Sequence, residues 1–322
     1  MFRLASIILL TLTTLNFTAV ALAAATTDQK AVLITGASSG LGRVMAETMA
    51  AQGYFVYAGA RKDKDIKELN AIENIQAVRL DVNKPQQVEA AVKTIQQAGR
   101  GLYGLVNNAG VVVLKPLIEI DEEDFHFQMN VNIYGPYRVT RAFAPLIIES
   151  KGRISIIGSI AGTLSSATWG PYSMTKHAME AYADALKDEM RKFGVHVSLV
   201  EPGTYKSKIT QSALNRMEQR NQTLENSQYQ AEMTDSINWL AAFQDESGDP
   251  AEVAEVVMHA LFDEAPKSRY LIVPNQEQAH WTINRAMERL VEQNADQKFS
   301  YDREALIEML DASLAKQKGS TP

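Results

Sequence analysis

The chain has 322 residues, 46% hydrophobic and 22% charged, with a formal net charge of -6 and a sequence pI of about 5.5. That composition suits one large globular domain or two small ones, and with no basic patch it argues against a nucleic-acid partner. The chain has no cysteine, which excludes disulfides, thiol catalysis and thiolate metal sites.

The first 25 residues read as a leader outside the fold. Arg3 supplies a short positive start, and Leu4 to Val20 is mostly apolar, interrupted by Thr11, Thr13, Thr14, Asn16 and Thr18. Ala21-Leu22-Ala23 and Ala23-Ala24-Ala25 both fit a signal-peptidase site. The same stretch is just long enough to span a bilayer as an uncleaved anchor. Both readings stand.

Ala31-Val32-Leu33-Ile34 predicts a short buried strand, followed by the glycine turn Thr35-Gly36-Ala37-Ser38-Ser39-Gly40-Leu41-Gly42. An amphipathic helix over 43–52 and a strand over 54–58 complete a β-α-β unit. Glycines let a ligand approach the backbone, and the helix N-terminus aims free N–H groups at a phosphate. The unit therefore predicts dinucleotide binding. Its second strand leads into Gly59-Ala60-Arg61-Lys62, with no carboxylate at the end to bond the ribose hydroxyls of NAD. Arg61 favours a 2′-phosphate and hence NADP. The alternative leaves Arg61 solvated and gives Asp63 to NAD.

A third strand over 76–80 ends at Asp81-Val82, where Asp81 either meets an adenine or caps the helix starting near Pro85. A fourth, Gly104-Leu105-Val106, runs into the polar turn Asn107-Asn108-Ala109-Gly110. One long helix is predicted from Asp121 to about Ser150, with Asn132 in its packed middle, as a satisfied core polar group or at a kink. Ile154 to Gly158 is a fifth strand, ending at Ser159, and a helix to about Phe193 carries Tyr172 and Lys176. Four positions apart, these two share a helix face. A free phenol has a pKa of about 10, and a fixed ammonium beside it would lower that. The sixth strand, 196–200, ends in Glu201-Pro202-Gly203. Residues 204–249 have no β pattern and read as one or two helices, either a substrate lid or an insertion with its own packing. A helix from Asp249-Pro250, a last strand over 270–273 and an amphipathic helical extension over 276–322 follow.

Seven alternations of strand and helix predict a doubly wound α/β fold. It is one parallel sheet of about seven strands in a single domain, with a helical lid and C-terminal helices. The motifs at 35–42, 107–110, Ser159, Tyr172-Ser173-Met174-Thr175-Lys176 and Pro202-Gly203, in this order, resemble the short-chain dehydrogenase/reductase family over roughly residues 30–275. The phrasing around them is most similar to the retinol and hydroxysteroid dehydrogenase branch. The resemblance implies a Rossmann fold over 26–275 and an enzyme interconverting an alcohol and a ketone or aldehyde with NADP or NAD.

By the same resemblance, Asn132, Ser159, Tyr172 and Lys176 form the catalytic tetrad, with Lys176 lowering the Tyr172 pKa and Asn132 fixing a water. Gly36, Gly40 and Gly42 line the pyrophosphate turn, with Ser38 and Leu41 also binding the cofactor and Ser39 near its adenosine end, and Asp81 and Val82 meet adenine. Asn108 supports the cofactor ribose, Pro202 and Gly203 back the nicotinamide, and Ser207 stands where relatives often have Thr. No metal is implied. A homodimer or homotetramer is, and the apolar and aromatic content of the lid favours a bulky hydrophobic substrate. Two other classes compete: a cofactor-binding sensor without turnover, which would not need Tyr172 and Lys176, and a sugar-nucleotide epimerase, which uses a different glycine spacing.

Overall fold

The computed structural model describes residues 29–319; the expected leader lies outside them. Seven strands form one parallel sheet: β1 (Ala31–Ile34), β2 (Phe55–Ala60), β3 (Ile75–Arg79), β4 (Gly104–Asn107), β5 (Arg153–Ile157), β6 (His196–Pro202) and β7 (Arg269–Ile272). Their order in the sheet is β3-β2-β1-β4-β5-β6-β7. Strands covered on both faces need near-continuous apolar runs, and β1 and β4 are buried at every position.

On one face α1 (Gly40–Ala51) packs with α9 (Pro250–Phe262), interleaving Met45 and Met49 with Val253, Val257 and Leu261. On the other, α3 (Pro85–Ala98), α5 (Gly135–Glu149) and α6 (Gly170–Arg191) cover β4 and β5 with Ile95, Phe143, Ile147 and Met179. A short α2 (Asp63–Leu69), absent from the sequence reading, joins β2 to β3.

The helix expected from Asp121 to Ser150 is not continuous. It is α4 (Glu122–Met129), a π turn over Asn130–Tyr134, and then α5. Pro136 has no N–H for the Asn132 carbonyl, and the ladder shifts to a five-residue spacing, Gly135 N–H donating to the Asn130 carbonyl. Residues 204–249 hold two helices, α7 (Ile209–Gln219) and α8 (Gln230–Glu246). Beyond β7 come α10 (Gln276–Asn294) and α11 (Arg303–Gly319). Among the described residues no helix is long and apolar enough to cross a membrane.

Candidate active site

The order of the sheet reverses at β1 and β4, and open α/β sheets bind ligands outside the carboxyl ends of the strands at such a point. The glycine turn follows β1, Arg61 follows β2, Asp81 follows β3, Asn108 follows β4 and Ser159 follows β5, while Pro202 ends β6. These segments line one cavity of about 950 Å³. All the cofactor-contact positions expected from the sequence reach its wall, as do Ser159, Tyr172 and Lys176; Asn132 does not.

The cavity's inner end is a cradle that only glycine permits. Gly36 and Gly40 have φ of +66° and +56°, a region that L side chains rarely adopt. A side chain on Gly42 would run into the Gly36 carbonyl and the Asn108 amide. Thr35 Oγ1 accepts from the Asn108 and Ala109 N–H groups at 3.0 Å each, and Asn108 Nδ2 donates to the Thr35 carbonyl at 2.8 Å. The turns after β1 and β4 thus brace each other. A bare backbone concavity opening α1 fits a pyrophosphate, and the cavity runs on past Arg61 in one direction and Lys176 in the other, as a dinucleotide requires.

At the Arg61 end the two sequence alternatives separate. Arg61 lines the cavity. Asp63 instead pairs with Arg79, whose Nη1 also donates to the Arg61 carbonyl at 2.6 Å. Asp81 does not cap α3; its carboxylate accepts from Asn83 N–H at 3.0 Å and it also lines the cavity.

At the other end Lys176 Nζ donates to the Ile157 carbonyl at 2.9 Å and lies 5.6 Å from the Tyr172 ring centre. Ser159 Oγ accepts from Ala161 N–H at 3.1 Å. Both side chains on α6 are buried. Burial pushes the Lys176 ammonium down to about 8. It also pushes the Tyr172 phenol up to about 12, with a hydrogen bond to Ser159 acting in the opposite sense. Lys176 is not among the causes acting on the phenol, and without a ligand loss of water decides the direction. Asn132 stands behind the wall. Its Oδ1 accepts from Val111 N–H at 2.8 Å, and its Nδ2 donates to the Val111 carbonyl at 2.9 Å and to Thr175 Oγ1 at 3.0 Å. Both amide hydrogens are engaged, so its side chain ties the segment after β4 to α6.

The outer half of the cavity is built partly from the segment read as a possible lid, with Trp239 and Leu240, and partly from residues not expected at the site. Trp169 and Trp239 meet edge to face at 5.3 Å, and Trp281 of α10 joins them on the wall. Gln278, one turn earlier on α10, accepts from Thr204 N–H at 3.0 Å and also bonds the Thr204 hydroxyl, fixing the turn after Gly203. α7 is held to α4 by the buried Asp124, which accepts from Arg216 Nε at 3.0 Å and Gln222 Nε2 at 2.6 Å. Only the amphipathic pattern of these helices was readable in advance.

The chain is similar to known proteins in sequence and fold. Residues 30–218 match the family model of the short chain dehydrogenases. The chain belongs to the short-chain dehydrogenase family. It is 34% identical over 244 residues to an uncharacterized oxidoreductase, YbbO, of Escherichia coli (strain K12), covering 75% of this chain and 85% of that one. It is 34% identical over 265 residues to the mitochondrial D-beta-hydroxybutyrate dehydrogenase of Bos taurus, covering 75% and 76%. Retinol dehydrogenase 5 of Homo sapiens is 36% identical over 184 residues, 56% of this chain and 58% of that protein, in keeping with the expected branch. A short chain dehydrogenase/reductase of Burkholderia phymatum, solved in complex with NAD, superposes with a TM-score of 0.72 at 25% identity over 85% of this chain and 99% of that one. Others of this fold were solved with NADP or NADPH. The chain is therefore an oxidoreductase acting on a CH–OH group with NAD or NADP.

Proposed function

We propose that the enzyme interconverts a bulky, hydrophobic secondary alcohol and its ketone with NADP(H). The observation that carries this reading is the convergence of Ser159, Tyr172 and Lys176 with the glycine cradle in one cavity whose outer wall holds Trp169, Trp239 and Trp281. When bound, the nicotinamide cofactor supplies or accepts the hydride. Tyr172, protonated up to about 12, gives its proton to the carbonyl oxygen as general acid in the reduction. Ser159 hydrogen-bonds the same oxygen as charge develops there. Lys176, charged at neutral pH, has donors beyond the one on the Ile157 carbonyl that would hold the cofactor's ribose hydroxyls, and its charge would favour the phenolate of Tyr172. Asn132 acts as a positioning residue, keeping α6 in register with the turn after β4. Arg61 selects the 2′-phosphate of NADP(H), with Asp63 already engaged by Arg79.

In this reading α7 and α8 are the lid over the substrate. Residues 1–25 are better suited to an anchor than to an exported signal, because the cofactor is an intracellular metabolite. Tyr134, at the end of the π turn, and Tyr137, in the first turn of α5, are exposed and suit the family's homodimer or homotetramer contact. A 3-hydroxy acid is the second substrate reading, favoured by the Bos taurus relative. The test is Tyr172→Phe, assayed for NADPH and NADH binding by fluorescence and for reduction of a panel of ketones. Turnover should fall by roughly a thousand-fold or more while NADPH affinity holds. Persistence of turnover refutes the mechanism. Binding by the wild type without turnover of any ketone instead favours the sensor.

A further inference from the structure

We propose that the outer wall selects substrates by charge: it admits alcohols and ketones whose far end is neutral or cationic and turns away those ending in a carboxylate. The inference rests on the reading of the cavity as the site of a bulky alcohol or ketone. It concerns two helices, α8 and α10, that lie beyond the family-matched residues 30–218.

One face of α8 lines the cavity with Glu232, Asp235, Ser236, Trp239 and Leu240, the spacing of a single helical stripe. Neither Glu232 nor Asp235 has a cation within ion-pair distance among the described residues. α10 contributes Trp281 and, one turn on, Arg285. That guanidinium is already claimed, since its Nη1 lies 3.1 Å from Glu288 and 3.0 Å from Glu292. The wall thus sets two carboxylates without a cation partner against one guanidinium that is already paired. The cavity's other cations stand at the cofactor end. Arg61 follows β2 and Lys176 bonds the Ile157 carbonyl. The Lys208 backbone nitrogen lies 3.4 Å from where a side chain on Gly40 would begin.

The apolar part of the wall agrees. The chain has 3 tryptophans, and all of them, Trp169, Trp239 and Trp281, line this cavity. Indole faces attract cations and suit apolar chains, and they offer nothing to a carboxylate except a donor N–H. The wall is also held in place. α10 is fixed by Gln278 on Thr204 and by Arg289, whose Nη2 lies 2.9 Å from His177 Nε2, beside Lys176. Thr168 and Ser236 hydroxyls, 2.7 Å apart, fix α8 against the segment before α6.

The same tryptophans provide the readout. The full chain, saturated with NADP⁺ so that no ketone can turn over, is titrated with three methyl ketones of equal length ending in a methyl, a trimethylammonium or a carboxylate group. Tryptophan fluorescence follows binding. The carboxylate probe should bind about ten-fold more weakly than the methyl probe, the scale of two solvent-exposed charge contacts, and high salt should narrow the gap. The Glu232→Gln, Asp235→Asn double variant should close most of it, because it removes charge and keeps shape. Carboxylate binding as tight as the methyl probe's, or a gap that the double variant leaves intact, overturns the charge rule alone. If none of the three probes binds, the bulky-substrate reading falls, and the charge rule with it.

Discussion

Lys176→Met isolates the effect of burial on the ammonium. The residue is 8% exposed, its ammonium donates to the Ile157 carbonyl, and burial lowers its pKa from 10.5 to about 8. At roughly 1.4 kcal/mol per pH unit, that gap corresponds to about 3 kcal/mol. Below about pH 8 both folded and unfolded chains hold the ammonium, and the folded chain carries the whole penalty. Between about 8 and 10.5 the unfolded chain binds more protons, so this group's contribution to stability rises with pH. Near pH 10.5 less than about 0.5 kcal/mol of the penalty is left. The variant has no such group. Its stability relative to wild type should therefore be about 3 kcal/mol more favourable near pH 7 than near pH 10.5, whatever constant offset the lost hydrogen bond adds.

Urea unfolding of both cofactor-free proteins across that range is the assay. Titration of the tyrosines, including Tyr172, is common to both and drops out of the difference. A difference that stays flat with pH refutes the reasoning, because it would mean that water reaches the ammonium. Repeating the series with saturating NADPH should flatten the slope, since the ribose hydroxyls would then solvate the charge.

Three further outcomes follow from particular contacts. Arg61→Ala should weaken NADPH binding about ten-fold, the scale of one exposed phosphate contact, and leave NADH binding unchanged; equal loss for both cofactors would remove Arg61 from the 2′-phosphate. Gly42→Ala should abolish binding of both cofactors and cost about 1–3 kcal/mol in thermal or urea unfolding, because its methyl meets the Gly36 carbonyl and the Asn108 amide. Asp124→Ala removes a fully buried acceptor from Arg216, whose side chain is 25% exposed. It should cost about 2 kcal/mol after allowing for that exposure, and raise the substrate KM with little change in the NADPH Kd. A KM that does not move would uncouple α7 from the substrate.

The fold was legible because a parallel sheet writes itself plainly. Each strand is an apolar run such as Ala31–Ile34, broken by the glycines and asparagines of the turns that follow. Much of the candidate site was legible for the same reason, since its cofactor-side residues and Ser159 follow strand ends within a few positions, while Tyr172 and Lys176 stand further on, in α6. What stayed hidden depends on partners far apart in sequence. Gln278 and Thr204 are 74 positions apart, and Arg216 and Asp124 are 92 apart. The spacing of α10 announces a helix but not the turn it braces or the tryptophan it brings to the cavity. The π turn was invisible because the apolar pattern runs through Asn130–Tyr134 unbroken, while its cause is a missing N–H at Pro136 and a Gly135 pressed against Val82. Spacing put Lys176 beside Tyr172, and there it stands. Which way the phenol's pKa moves is a different kind of fact. A neighbouring ammonium favours phenolate, whereas removal of water favours the neutral phenol. The balance is set by how completely Val112, Leu240 and their neighbours shut out solvent. That is a property of the assembled site, which the four-residue spacing does not encode, and a bound cofactor would tip it back.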